Sequence, residues 1–166
     1  HVAGGAAVLL QRHPGWTVAQ VKSALVSTGD AVHGNGGREV PPTREGGGMI
    51  WMPAADQPLL FGRPASLSFG LLSRGRTAAL RLSLADAGGG AGAWRVSLRQ
   101  LVRARGVSLR VPASVTVPGR LTLRAVVSKR ARPNEATGFV VLTRGSATRR
   151  FPYWLRVAST RLATEG

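Results

Sequence analysis

From Leu67 onward, apolar residues recur at every second position. Leu80, Leu82 and Leu84 alternate with Arg81 and Ser83; Trp94, Val96 and Leu98 alternate with Arg95, Ser97 and Arg99. Val107, Leu109 and Val111 oppose Ser108 and Arg110, Leu121 and Leu123 oppose Thr122 and Arg124, and Phe151, Tyr153, Leu155 and Val157 oppose Trp154 and Arg156. A period of two sends alternate side chains to opposite faces of a strand. Short strands of this kind, separated by Gly, Pro or Asn turns, predict an antiparallel β-sandwich of about seven strands over residues 59–160, with 161–166 as a tail.

The first 58 residues follow a different rule. Val2 to Arg12 is apolar almost all round, with Ala3, Gly4, Gly5, Ala6 and Ala7 supplying small surfaces, as a helix packed closely against neighbours on several sides requires. His13-Pro14-Gly15-Trp16 reads as a turn. Thr17 with Gln20 three residues later is a capping box, which opens a second helix over about Val18 to Ser27. Val18, Val21, Ala24, Leu25 and Thr28 form its apolar stripe, Lys22 and Ser23 lie outside it, and Gly29 supplies the stop. Gly34 to Pro58, rich in Pro and Gly, links the helical part to the strands. An apolar helix that opens at Val2, with no cap or leader before it, reads as the interior of a longer polypeptide.

Charge complicates this picture. Lys and Arg number 23 against 7 Asp and Glu, a formal net charge of +16 at pH 7, which attracts nucleic acid or any other anionic polymer. Only Lys22 and Lys129 are lysines; the arginines are scattered along the chain. Arg81, Arg95, Arg99, Arg110, Arg124 and Arg156 fall on outward strand positions, where a cation discourages sheet aggregation without needing a ligand. Nucleic acid is therefore the less favoured partner, and a basic β-sandwich module for anionic polymer or nucleic acid is the second reading. The absence of cysteine excludes disulfides and thiolate metal sites. The run Val2–Leu10 is too short to span a membrane and lacks the basic flank of a signal peptide.

Candidate chemistry is sparse. His1, His13 and His33 are the imidazoles, and Asp30, Asp56 and Asp86 the aspartates. Ser27, Asp30 and His33 contain the residue types of a hydrolytic triad, but they sit in a polar loop beyond a helix stop. His13 reads as a surface residue. Gly46-Gly47-Gly48 and Gly88-Gly89-Gly90 lack the Gly-Lys-Ser/Thr that a phosphate loop needs and read as turns. Trp16, Trp94 and Tyr153 are expected in cores, and Trp154 facing outward. No residue is assigned a catalytic, cofactor-binding or metal-binding role, and no cofactor is expected.

The first 30 residues carry one specific resemblance. His1-Val2-Ala3-Gly4-Gly5-Ala6-Ala7-Val8-Leu9-Leu10, His13-Pro14-Gly15-Trp16-Thr17 and Gln20-Val21-Lys22-Ser23-Ala24-Leu25, in that order and without gaps, closely resemble the subtilisin-like serine peptidases. The family's nucleophile lies in a Gly-Thr-Ser-Met-Ala-x-Pro segment that leads into His-Val-Ala-Gly, so the resemblance implies a serine a few residues upstream of His1 and a His and Asp farther upstream. His1 is then structural. Arg44 to Ile50 resembles the Gly-rich turn and strand that follow the second helix, although Trp51 and Met52 replace small and polar residues. Pro64 to Gly70, Gly138 to Leu142 and Arg150 to Tyr153 resemble the fibronectin type III-like sandwich that many subtilases carry. The resemblance implies that residues 1–58 end an α/β catalytic domain whose remainder lies upstream. The intact parent would be secreted and would cleave polypeptide substrates, with this part serving as a structural or substrate-positioning module.

Overall fold

The computed structural model describes residues 1–158; the predicted tail, 161–166, and the last two residues of the predicted sandwich span lie outside them. Four helices come first: α1 (Val2–Arg12), α2 (Val18–Ser27), α3 (Pro42–Glu45) and α4 (Met52–Asp56). Nine strands follow: β1 (Leu60–Arg63), β2 (Leu67–Leu72), β3 (Thr77–Asp86), β4 (Gly92–Val102), β5 (Val107–Arg110), β6 (Ser114–Val117), β7 (Gly119–Val127), β8 (Glu135–Arg144) and β9 (Ala147–Val157).

The strands form two sheets, a four-stranded one in the order β1-β3-β7-β5 and a five-stranded one in the order β2-β9-β8-β4-β6. Alternation put the inward residues where the sheets meet: Leu82, Leu84, Trp94, Val96, Leu121, Leu123, Phe151 and Tyr153 are all buried in one cluster. A second cluster, built on Ala125, Val127, Leu155 and Val157, fills one end. Their burial drives the two amphipathic sheets together.

Three features depart from the sequence expectation. Nine strands replace seven, because β1 and β6 are each four residues long; β1 shows no alternation at its first three positions, all of them buried. The sandwich is not wholly antiparallel: β2 pairs with β9 in parallel, Leu67 beside Tyr153 and Leu72 beside Val157. The stretch expected as a strand near Arg44–Ile50 is instead α3 and a glycine turn, reduced to one β-bridge between Met49 and Asp30. Glycine is required there, since a Cβ on Gly47 would lie 2.5 Å from the Val26 carbonyl oxygen and one on Gly48 2.2 Å from that of Asp30.

The helices show the expected capping box, with Thr17 N donating to Gln20 Oε1 (2.7 Å) and Gln20 N to Thr17 Oγ1 (3.3 Å). Two stripe assignments on α2 are reversed. Val18 is 80% exposed, at the first turn of the helix, whereas Ser23 is buried. The serine is drawn in because its Oγ accepts the Gly62 N–H of β1 at 2.7 Å. Gly62 in turn leaves room for Phe151: a Cβ there would lie 2.1 Å from its ring.

The helical part is thus joined to the sandwich, and the molecule as a whole is mostly β-sheet with few short helices. Trp16 meets Phe61 edge to face at 5.0 Å. Arg149, buried with no carboxylate partner among the described residues, donates to the carbonyls of Pro58, Gln57 (3.2 Å) and Thr148 (2.7 Å), and burial lowers the pKa of its guanidinium. Arg150 donates to Glu39 (2.8 Å) and Glu45 (3.0 Å) while its guanidinium lies 3.8 Å over the Phe139 ring. The Arg150 contacts hold the segment before α4 on the outer face of the five-stranded sheet, which explains why β8 is buried on both faces from Ala136 to Val140.

Candidate functional site

The outward side of α1 is the most distinctive surface of the helical part. Leu9 is fully buried among Val21 and Ala55, with Ala6, Trp16, Leu25 and Met52 around them. Gly5 faces the same way, and a Cβ on it would lie 3.2 Å from Met52 Sδ. On the other side Ala3, Gly4, Ala7, Val8 and Leu10 are all exposed. Val2, Val8 and Leu10 are 64%, 46% and 41% exposed, and a hollow of about 370 Å³ opens between His1, Gly4, Gly5, Val8, Ile50 and Met52. Neighbours on several sides were expected; the helix is covered on one. A solvent-facing helix side ordinarily carries charge, and this one carries none between Val2 and Gln11. Nearby Met49 and Trp51 are also exposed, at 62% and 51%. The surface therefore fits an apolar partner.

At the C-terminal end of α1, sequence separation concealed a side-chain cluster. Arg12 Nε donates to Asp56 Oδ1 at 2.7 Å, and His13 Nε2 lies 2.8 Å from the same oxygen. The His13 ring stacks on Trp16, 3.9 Å between centroids and 4° from parallel. His13 is thus half-buried rather than a plain surface residue. A histidine bonded to a carboxylate is part of hydrolytic machinery only when its other nitrogen serves a nucleophile. Here Nε2 faces the carboxylate, and no serine bonds to His13 among the described residues. The cluster fastens α1 to α4.

The Arg12 hydrogen bond, followed by that of His13, depresses the pKa of Asp56 below its ordinary value. A depressed carboxylate contributes stability that is complete above its unfolded pKa, about 3.9, and is lost as pH falls through the folded value. Acidification below about pH 4 should therefore lower the melting temperature more in the native chain than in Asp56→Asn. Parallel thermal melts between pH 2 and 6 measure the difference; superimposable pH profiles would show that Asp56 contributes nothing.

The other sequence candidates separate. Asp30 and His33 form backbone bridges with Met49 and Glu39 respectively, and Ser27 is buried with its Oγ unpartnered; no hydrogen bond joins the three among the described residues. Gly88 to Gly90 form a turn organised by Asp86, whose Oδ1 accepts from Gly88 N (3.0 Å) and Gly90 N (2.7 Å). Trp94 is buried and donates to the Gly90 carbonyl at 2.8 Å. Tyr153 is buried with an unpartnered hydroxyl, whose pKa burial raises and the charge of Arg103 lowers to a lesser degree. Trp154, expected outside, is half-buried, its Nε1 donating to Glu135 at 3.3 Å. Among the described residues no group of three His, Asp or Glu side chains is placed to hold a metal, and no helix is long and apolar enough to cross a membrane.

No family model matches the chain. Among solved structures it is similar, over 61% of its length and 87% of theirs, to PapD-like domain 7 of human CEP192, at 16% identity and a TM-score of 0.45. Over 60% of its length it is similar to the titin M3 domain (97% of that chain, 10% identity, TM-score 0.39). It is also similar over 60% to domains 4 and 5 of the S-layer protein SbsC (51% of that chain, 15% identity, TM-score 0.37). These are β-sandwich modules, and the likeness concerns architecture.

Proposed function

We propose that this chain is the C-terminal part of a subtilisin-like serine endopeptidase that acts outside the cell. The observation that carries the reading is α1. Its sequence, His1-Val2-Ala3-Gly4-Gly5-Ala6-Ala7, resembles that of the helix behind the nucleophile in this family, and its uncharged outward side supports close packing of more protein against it. In a subtilase this helix must approach the central sheet closely, which requires Gly and Ala on its surface.

On this reading the nucleophile, its histidine and the orienting aspartate come from the upstream portion, and peptide-bond hydrolysis is the work of the whole polypeptide. The present residues close the catalytic domain through α1 and α2, and the sandwich, fibronectin-like in this setting, braces it or positions substrate. The contacts of Ser23, Arg149 and Arg150 with Gly62, Pro58 and Glu39 support a rigid brace rather than a loosely tethered module.

The test is the coding sequence upstream of the His1 codon. A Gly-Thr-Ser-Met-like segment immediately before it, with His and Asp segments farther upstream, is expected. The polypeptide expressed with that portion should cleave casein and lose activity to a serine-directed sulfonyl fluoride. An upstream sequence without the serine segment, or an extended polypeptide without sulfonyl-fluoride-sensitive cleavage, overturns the proposal.

A further inference from the structure

Part of the positive charge scattered along the sequence gathers in space. Three connections at one end of the sandwich each carry an Arg-x-Arg triplet. Arg74-Gly75-Arg76 joins β2 to β3, Arg103-Ala104-Arg105 joins β4 to β5, and Arg130-Ala131-Arg132, preceded by Lys129, joins β7 to β8. All seven cationic side chains are exposed. Backbone hydrogen bonds hold the three connections together: Val127 N to Arg76 O (2.8 Å), Ser128 N to Gly106 O (2.9 Å) and Arg132 N to Arg105 O (3.4 Å). A Cβ on Gly75 would lie 3.4 Å from Lys129 Cγ, so the first connection also touches the third. Among the described residues the carboxylate at the rim is Glu135, which accepts from Trp154 on the five-stranded sheet.

This end continues onto the outer face of the four-stranded sheet. Strand register places Arg124 directly opposite Arg110, Arg81 opposite Thr122, and Ser83 between Arg63 and Arg120. The exposed carboxylate on these strands, Asp86 at the end of β3, accepts from Gly88 N and Gly90 N, and none of the five arginines is ion-paired among the described residues. Like charges directly opposite each other destabilise a sheet, and an oxyanion bridging Arg110 and Arg124 would relieve that repulsion. Guanidinium groups match phosphate oxygens bidentately, and alternate positions along a strand lie roughly 7 Å apart, suited to a chain of regularly spaced phosphates.

We infer that the Arg-x-Arg end of the sandwich, with the adjoining arginine face, binds a linear phosphodiester polymer through its backbone charge. The aromatic side chain on that face, Phe61, is buried against Trp16 and offers no open ring on which bases could stack, so contact is with phosphates and independent of base sequence. A bilayer fits less well, because Val126 is the one large apolar residue exposed on that face, too little for interfacial insertion. The inference is independent of whether the chain belongs to a peptidase.

Fluorescence anisotropy with a labelled oligothymidylate, and competition by poly(glycerol phosphate), tests it. Both polymers should bind, nucleic acid and a polyol-phosphate chain being two sources of the same chemistry; preference in the competition ranks them. Affinity should fall with salt on a log–log slope of magnitude about 5, if the seven end cations are engaged at about 0.7 each. Arg103→Gln/Arg105→Gln/Arg132→Gln should reduce that slope by about 2 and weaken binding at least about tenfold at low salt, with an unchanged melting temperature. Arg95→Gln, on the other sheet, should bind as the native chain does. Equal affinity of the triple variant and the native chain overturns the inference. So does binding to phosphatidylglycerol vesicles with neither polymer bound, which would assign the surface to a membrane.

Discussion

Arg150→Ala should release the segment between α2 and α4 from the sandwich before the sandwich itself melts. The Arg150 side chain is 12% exposed, and the Glu39 and Glu45 carboxylates it bridges are 2% exposed each. Removing one partner of a buried ion pair strands the other, at a cost of about 3–5 kcal/mol. Arg99 still lies against Glu39, and Glu45 still accepts the Val32 N–H at 2.8 Å. The loss therefore falls mainly on the contact of α3 with β8 and β9, a local opening rather than global unfolding. Arg38 and Arg44 are exposed on this segment. Trypsin should cleave there at least about tenfold faster in the variant, since each 1.4 kcal/mol of opening free energy is a factor of ten when opening precedes cleavage. Combining Arg150→Met with Glu39→Gln and Glu45→Gln should recover much of the protection, because no charge is then left buried. Unchanged cleavage at Arg44 in Arg150→Ala would show that the ion pairs do not hold the segment.

Trp94→Ala acts on the sandwich itself. The indole is 1% exposed, sits on a strand paired with both β6 and β8, and has the Arg144 guanidinium 5.7 Å from its ring centroid. Truncating a buried tryptophan costs about 3–5 kcal/mol through lost transfer energy and the cavity left behind, against a total stability of order 5–15 kcal/mol. The melting temperature should fall by about 10 °C. Trp94→Phe retains most of the ring volume but leaves the Gly90 carbonyl without its donor; the smaller loss separates packing from hydrogen bonding. A drop of less than about 3 °C in the alanine variant would mean that the core does not depend on this residue.

What the sequence revealed followed local physics. The capping box depends on two residues three apart, and strand alternation on a period of two, so α2 and the inward sets of β3, β4, β7 and β9 were legible. Relations between distant segments were not. Ser23 lies off the apolar stripe of its helix and is buried only because Gly62 brings an N–H to it from β1. Asp56 and His13 meet because α4 folds back on α1. The basic end was not legible: the arginines read as scattered along the chain, although Arg-x-Arg occurs three times. That the three turns share one end depends on strand order, including the parallel β2–β9 pair that alternation cannot specify.

That parallel pair has a consequence during synthesis. β9 is the last described strand, yet it supplies the neighbour of β2 and also Arg149, Arg150 and Phe151, which hold or receive the residues before β2. As the polypeptide leaves the ribosome, the helices and the first sandwich strands emerge well before the strand that fixes them, an interval of seconds at roughly 5–20 residues per second. Until then β2 lacks its hydrogen-bonded neighbour, and Glu39 and Glu45 lack the Arg150 guanidinium, keeping Arg99 and the Val32 N–H as native partners. A chaperone acting on this protein would have its substrate in that interval, and a stop codon before Ala147 would remove the contacts that Arg149 and Arg150 make with the N-terminal half.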